Sequence, residues 1–330
     1  MADGTNDEAS TATDRIRRKA RTARDEVEGR IHEVEERIHD IEARAREMDA
    51  RIEKRVGRNL PKALFFGLVL GLSLLFSLIF VTELFMLFGA ALVVFTAYEL
   101  ASALRFAGRD VPRIPLVVAS LGVIAPAYYF GAAGLWVAFL AGALLVTVWR
   151  LAEQLRPSLR HDPAVSLRTD LAAGVFVLAY VALLGGFAVV MTAAPGGEWW
   201  TLAYLIIVIC IDVGAYASGL TFGKTPMAPK ISPKKTWEGF AGAATVAMLA
   251  GVLLAIFMLG ESWWVGVILA GAMIVTATVG DLTESLVKRD LGIKDISTWL
   301  PGHGGFLDRL DSILPSTVAA YLVFLAFGGA

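Results

Sequence analysis

Two hydrophobic patterns divide this chain. Between residues 27 and 52, single apolar positions recur four and three apart in a charged background. From residue 63 onward, apolar residues run in long blocks. A membrane-spanning helix needs about 20 mostly apolar residues. The blocks predict nine such helices, at 63–81, 84–104, 114–130, 132–149, 171–193, 199–218, 239–260, 263–280 and 312–328. The third and ninth are short, which suits a partly interfacial placement. The fold class expected is all-α: a polytopic membrane protein of about nine transmembrane helices with an N-terminal cytoplasmic coiled-coil helix.

The other pattern is a heptad. With Ile31 at position a, the a set is Ile31, Ile38, Ala45 and Ile52, and the d set is Val27, Val34, Ile41 and Met48. Position g is always Arg (Arg30, Arg37, Arg44, Arg51), and position e is always acidic (Glu28, Glu35, Glu42, Asp49). In a parallel pair, g of one helix meets the following e of its partner, giving Arg–acid contacts throughout; an antiparallel pair opposes Arg to Arg. Glu26, Glu33, Asp40 and Glu47 each precede those arginines by four residues, which supports the single helix. A parallel coiled coil joining two protomers is expected, the alternative being a solvated helix lying on the body or the lipid headgroups. The domain boundaries are therefore a disordered tail at 1–14, a charged heptad helix at 15–62 and a membrane-embedded domain at 63–330.

Composition agrees with this division. Hydrophobic residues make up 56% of the chain, and its mean hydropathy is +0.62. Residues 1–62 hold 15 of the 30 Lys and Arg and 15 of the 31 acids, so the net charge of −1 hides two unlike regions. Lys and Arg stay on the cytoplasmic side of a membrane. With the N-terminus inside, nine crossings place every basic residue after Lys62 in an inside loop, leave the outside turns without any, and put the C-terminus outside. A multi-pass protein of the plasma membrane is expected. The polar, charged start predicts no cleavable signal peptide. Cys210 is the only cysteine, which excludes an intrachain disulfide and reads as a packed thiol.

Four clusters carry candidate chemistry. In the first, Asp212 lies near the end of the sixth predicted span, where an ionised carboxylate needs a polar cavity, a cation or a basic partner. Gly214, Gly219 and Gly223 beside it allow close backbone approach or simple helix packing. In the second, ISPKKTWEG at 231–239, Lys234 and Lys235 precede a helix start that Thr236 can cap; lysines at a helix N-terminus favour phosphate. The third has Asp281 and Glu284 three apart and Glu284 and Lys288 four apart, with Arg289 adjacent, so one helical face can present them. Carboxylates beside basic groups suit Mg²⁺ with phosphate, although a surface ion-pair helix has the same spacing. The fourth, PGHGGFLDRLD at 301–311, offers Gly304 and Gly305 amides to anionic oxygens, Asp308 and Asp311 three apart, and His303 as a donor or proton exchanger. No Ser–His–Asp arrangement and no zinc spacing is present.

The residues Ser285-x-x-Lys288-Arg289-x4-Lys294-Asp295-x-Ser297-x2-Leu300-Pro301-x-His303-Gly304-Gly305-Phe306-x-Asp308-Arg309-Leu310-Asp311 resemble the signature of the phosphatidate cytidylyltransferases (CDP-diacylglycerol synthases). The segments around Asp212 and Ser232 look like that family too, and the resemblance covers roughly 63–330. The heptad region departs from the family's usual short N-terminus. The resemblance implies that CTP and phosphatidate give CDP-diacylglycerol and pyrophosphate in phospholipid biosynthesis, with Mg²⁺. It implies metal ligation by Asp281 and Asp308, with Asp311 and Asp212 supporting that ion or holding a second cation. Lys234, Lys235, Lys288, Arg289 and Arg309 are then expected to neutralise phosphates, and Ser232, Thr236 and His303 to orient oxygens. Glu238, Ser285, Lys294, Gly304 and Gly305 complete the expected substrate-binding set. A homodimer, formed through membrane helices and the coiled coil, is expected; nucleic acid is not expected as a partner. Rival readings are a CTP-dependent polyprenol or phytol kinase, a synthase acting on an archaeal ether lipid, and a transporter with an ion site at Asp212.

Overall fold

A computed structural model describes residues 60–155, 167–293, 296–297, 299 and 304–328, with side chains described from residue 67 onward. The heptad helix and the tail before it, together with Lys294 and His303, lie outside the described residues.

Lipid offers no hydrogen bonds, so apolar segments of this length close their backbone bonds internally as helices. The chain runs through α1 (Leu60–Ile79), α2 (Thr82–Phe106), α3 (Arg113–Leu155), α4 (Leu167–Ala193, with a π-helical turn at Leu178–Leu183), α5 (Gly197–Phe222), a two-stranded hairpin of β1 (Pro226–Ala228) and β2 (Ser232–Thr236), α6 (Trp237–Leu259), α7 (Trp263–Asp290), the short α8 (Leu307–Leu310) and α9 (Ile313–Phe327). Among the described residues, seven segments are long and apolar enough to cross a membrane, α8 and α9 counting as one; Gly67–Ile79 is a shorter apolar helix. The protein is thus a mostly helical, multi-pass membrane protein.

The 43-residue α3 is not straight. Gly131 leaves the helical region at φ 61°, ψ −148°, a conformation that glycine adopts at little cost. The two arms fold back on each other there: a Cβ on Gly142 stands 3.1 Å from the Cβ of Ala119, whereas a straight helix separates residues that far apart by roughly 34 Å. Both outer ends of α3 consequently reach the same end of the bundle. There Arg150 contacts Asp170 at 2.8 Å and Asp110 at 3.1 Å, and Arg105 contacts Asp110 at 3.0 Å. This buried ionic knot ties the α2–α3 loop, the end of α3 and the start of α4. Arg109, Thr169 and Asp290 share one cavity wall, which brings the C-terminal end of α7 to the same end.

Two apolar cores hold the helices. One packs α2, α3 and α4 around Leu100, Leu116, Leu135 and Leu178, all fully buried. The other packs α5, α6, α7 and α9 around Tyr204, Ile207, Ala247 and Met273. Without a hydrophobic drive between helices in lipid, small residues allow the close approach that packing needs. A Cβ on Gly214 of α5 stands 3.1 Å from the Ala243 Cα of α6. Gly214 therefore serves helix packing.

Candidate active site

Three chain segments meet at the end of the bundle that carries the ionic knot. The first is the end of α5 and the hairpin that follows. α5 continues about one turn past the predicted span, so Asp212 lies on regular helix and Gly219 and Gly223 approach β2. A Cβ on Gly223 stands 2.9 Å from the Thr236 hydroxyl, which only glycine avoids. The lysines lie next to the start of α6, as expected, on a strand that runs directly into it: β2 pairs antiparallel with β1, with Pro226 opposite Thr236 and Ala228 opposite Ser232. Thr236 does cap α6, its hydroxyl accepting the Gly239 amide at 3.1 Å. The Glu238 carboxylate does not line the cleft. It accepts the Lys224 and Thr225 amides at 3.1 Å and the Thr225 hydroxyl at 2.8 Å, pinning the base of the hairpin.

The second segment is the last turns of α7, which run on from the predicted span to Asp290. Asp281, Glu284 and Lys288 fall on one face, as their spacing requires. Asp281 forms an ion pair with Lys235 of β2, and the Ser285 hydroxyl lies 3.5 Å from Asp281. Lys288 contacts buried Glu284 at 2.5 Å and Asp308 at 3.1 Å. Arg289 donates to the Ile231 carbonyl at 3.4 Å, tying α7 to the hairpin.

The third segment is the glycine-rich loop and α8. Gly304 sits at φ 79°, in the left-handed region. The Gly305 amide donates to Asp308 at 2.8 Å, so Asp308 is held by that amide and by Lys288. Asp311 accepts the Ser312 amide at 2.6 Å. The loop is anchored by a residue that the motifs do not contain. Glu99 of α2, only 2% exposed, accepts the Leu307 amide at 2.8 Å and the Ser297 hydroxyl. Phe95 stacks on Phe306 and Tyr98 on Trp299 beside it.

Asp212, Ser232, Lys234, Lys235, Thr236 and Asp281 line one cleft of about 370 Å³, with Ser312 at its wall. Asp212, Asp281 and Asp311 lie within electrostatic reach of one another, and Lys235 and Arg309 oppose the charge of Asp212. Asp308 stands one step away, joined through Lys288 and Glu284. Among the described residues, no group of three or more Asp, Glu, His or Cys is drawn together as a cage for a metal ion. The cleft nevertheless combines hard oxygen donors with lysines, an arrangement suited to an ion that shares its ligands with phosphate, as Mg²⁺ does. Glu99 and Ser312 are the site residues to which sequence reasoning gave no role. For Glu99 the signal was present, since a carboxylate inside an apolar run marks an interior or functional position.

A profile of the Cytidylyltransferase family matches residues 61–327. The chain is 40% identical over 273 residues to a phosphatidate cytidylyltransferase of Mycobacterium bovis, covering 82% of this chain and 89% of the relative. It is 38% identical over 274 residues to a phosphatidate cytidylyltransferase of Mycobacterium leprae, covering 81% and 88%. A phosphatidate cytidylyltransferase of Brucella suis is 37% identical over 152 residues, covering 46% of this chain and 55% of that protein.

Proposed function

The chain belongs to the cytidylyltransferase family and is a nucleotidyltransferase, and we propose that it transfers the cytidylyl group of CTP to phosphatidate. In this reaction a phosphatidate phosphate oxygen forms a bond to the α-phosphorus of CTP. The bond from that phosphorus to the β-bridging oxygen breaks, and CDP-diacylglycerol and pyrophosphate leave. The observation that carries the reading is the cleft that brings Asp212, Asp281, Lys234 and Lys235 together, with Ser312 at its wall.

Such a transfer needs alignment and charge neutralisation more than covalent catalysis. Lys234 and Lys235, presented from a strand pinned at its base by Glu238, neutralise the triphosphate. Lys288, Arg289 and Arg309 add positive charge along the edge of α7 and α8. Ser232 and Thr236 orient oxygens from β2, and His303, Lys294, Ser285, Gly304 and Gly305 complete the set around the substrates. Asp281, with Asp212, Asp311 and Asp308, would hold Mg²⁺, with capacity for a second cation among the four. When bound, the ion supplies positive charge to phosphate oxygens. Lys235 offsets the mutual repulsion of the carboxylates.

The same reading assigns topology and assembly. Gly131 turns α3 into two arms, and with Gly67–Ile79 included the segments make nine crossings. That number places the described basic residues on one side, which is the cytoplasmic side of the plasma membrane, together with the N-terminus; the C-terminus lies outside. The heptads at 27–52 support a homodimer joined by a parallel coiled coil as well as by membrane helices. The test is an incubation of the purified chain with phosphatidate, Mg²⁺ and CTP labelled at the α or the γ phosphate. Label from α appears in the lipid. Label from γ makes the protein a lipid kinase, and no labelled lipid removes the reading.

A further inference from the structure

The turn from Arg309 to Ile313 is shared by two cavities. Ser312 lines the polar cleft. Arg309, Leu310 and Ile313 line a groove of about 220 Å³ whose other walls come from α1, α2, α4 and α5, with Gly71, Phe88, Leu92 and Gly185 among them. Arg309 is the one charged residue among the described residues lining this groove, and it also acts electrostatically on Asp212 in the cleft. The Thr317 hydroxyl in the wall is spent on the Leu184 carbonyl at 2.6 Å. Phe306 brings the glycine-rich loop into the same wall, stacked on Phe95 of α2 at 5.1 Å. An apolar slot with one arginine in its wall, next to the polar cleft, matches a molecule with an anionic head and a hydrocarbon tail.

We propose that this groove is the acyl-chain subsite for the lipid substrate. One chain of phosphatidate lies between α1, α2 and α4, and its phosphate meets Arg309 where the groove adjoins the cleft. The assignment rests on the cytidylyl-transfer reading and adds to it where the lipid lies and which residues set chain preference. Gly71 is the position that tests it. A Cβ there meets nothing within 4 Å, so a leucine projects into the groove without displacing protein, and a helix accepts it more readily than glycine.

The experiment compares the full-length wild type with Gly71→Leu in detergent micelles, using dihexanoyl and dioleoyl phosphatidate. Displacing about two methylenes of a buried chain lowers the dioleoyl-to-dihexanoyl ratio of kcat/KM by about tenfold, while Gly71→Ala changes it little. An unchanged ratio, or equal losses with both lipids, overturns the subsite. A changed oligomeric state at an unchanged ratio makes the groove a contact between subunits and also overturns it. If Gly71→Leu does not fold, wild-type protein is photolabelled with a phosphatidate carrying a diazirine near the end of its acyl chain. Label on peptides containing 70–74 or 85–93 supports the subsite, and label confined elsewhere removes it. If the wild type makes no CDP-lipid from either phosphatidate, the cytidylyl-transfer reading fails on its own, and the photolabel still shows whether the groove holds an acyl chain.

Discussion

The Glu99 carboxylate accepts the Leu307 amide at 2.8 Å, a bond that joins residues 208 apart in sequence and fastens the glycine-rich loop to α2. Its other oxygen takes the Ser297 hydroxyl. A Cβ on Gly305 would strike the carboxylate, so loop and glutamate are fitted to each other. Glu99→Ala leaves a buried amide without its acceptor, at a cost of roughly 1–3 kcal/mol. Turnover should fall at least tenfold, and Trp299, stacked on Tyr98 at 5.5 Å, should shift its fluorescence as the loop loosens. Glu99→Gln, which keeps one acceptor oxygen, should recover part of both. Wild-type turnover in Glu99→Ala would falsify the anchoring role.

Asp281 faces the cleft in an ion pair with Lys235, whereas Asp308 is held by Lys288 and Gly305. Asp281→Asn and Asp308→Asn should each lower kcat by about 100-fold or more, with size-exclusion profiles of the extracted protein unchanged. Near-normal turnover in either variant removes that residue from the site.

Chelation separates the proposed ion from the lysines. EDTA should abolish cytidylyl transfer and added Mg²⁺ should restore it, while Ca²⁺, with its longer and more variable coordination, should restore it poorly. Full activity in EDTA means that the lysines and arginines act without a cation.

The knot between Arg150, Asp110 and Asp170 is a stability element away from the cleft. Asp170 is 1% exposed and receives two guanidinium bonds from Arg150, at 2.8 and 3.3 Å. Removing one partner strands a buried charge, so Asp170→Ala should cost roughly 3–5 kcal/mol. The double change Arg150→Met with Asp170→Leu should cost less than the single one. Thermal unfolding in detergent measures both. A double variant less stable than Asp170→Ala contradicts this account.

The heptad segment can be tested by itself. A peptide of residues 20–58 should be helical by circular dichroism and self-associate at micromolar concentration in sedimentation, because its e and g charges pair only across parallel partners. A monomeric random coil rules out the coiled coil.

Much of this architecture was legible because lipid leaves an apolar run few options. The Thr236 cap and the common face of Asp281, Glu284 and Lys288 followed from local spacing, which a helix translates directly into position. The hairpin at 226–236 was not legible. Its strands are short and rich in Pro and Lys, residues that disfavour strands, and it is held by Glu238 reaching back to the 224–225 backbone. The Arg150–Asp110–Asp170 knot escaped for a different reason. Its members come from three elements, and nothing local links them. Glu99 lay in plain view within an apolar run, but its partners are some 200 residues downstream, beyond what periodicity reports.

The reversal at Gly131 bears on how the chain enters the bilayer. No Asp, Glu, Lys or Arg lies between Arg113 and Arg150. A charge carried across the bilayer couples to the membrane potential at about 2.3 kcal/mol per 100 mV, and this hairpin carries none. Its two arms can therefore be delivered as a pair, with both ends left in the compartment they started from. Their insertion is then expected to proceed equally well in energised and de-energised membranes.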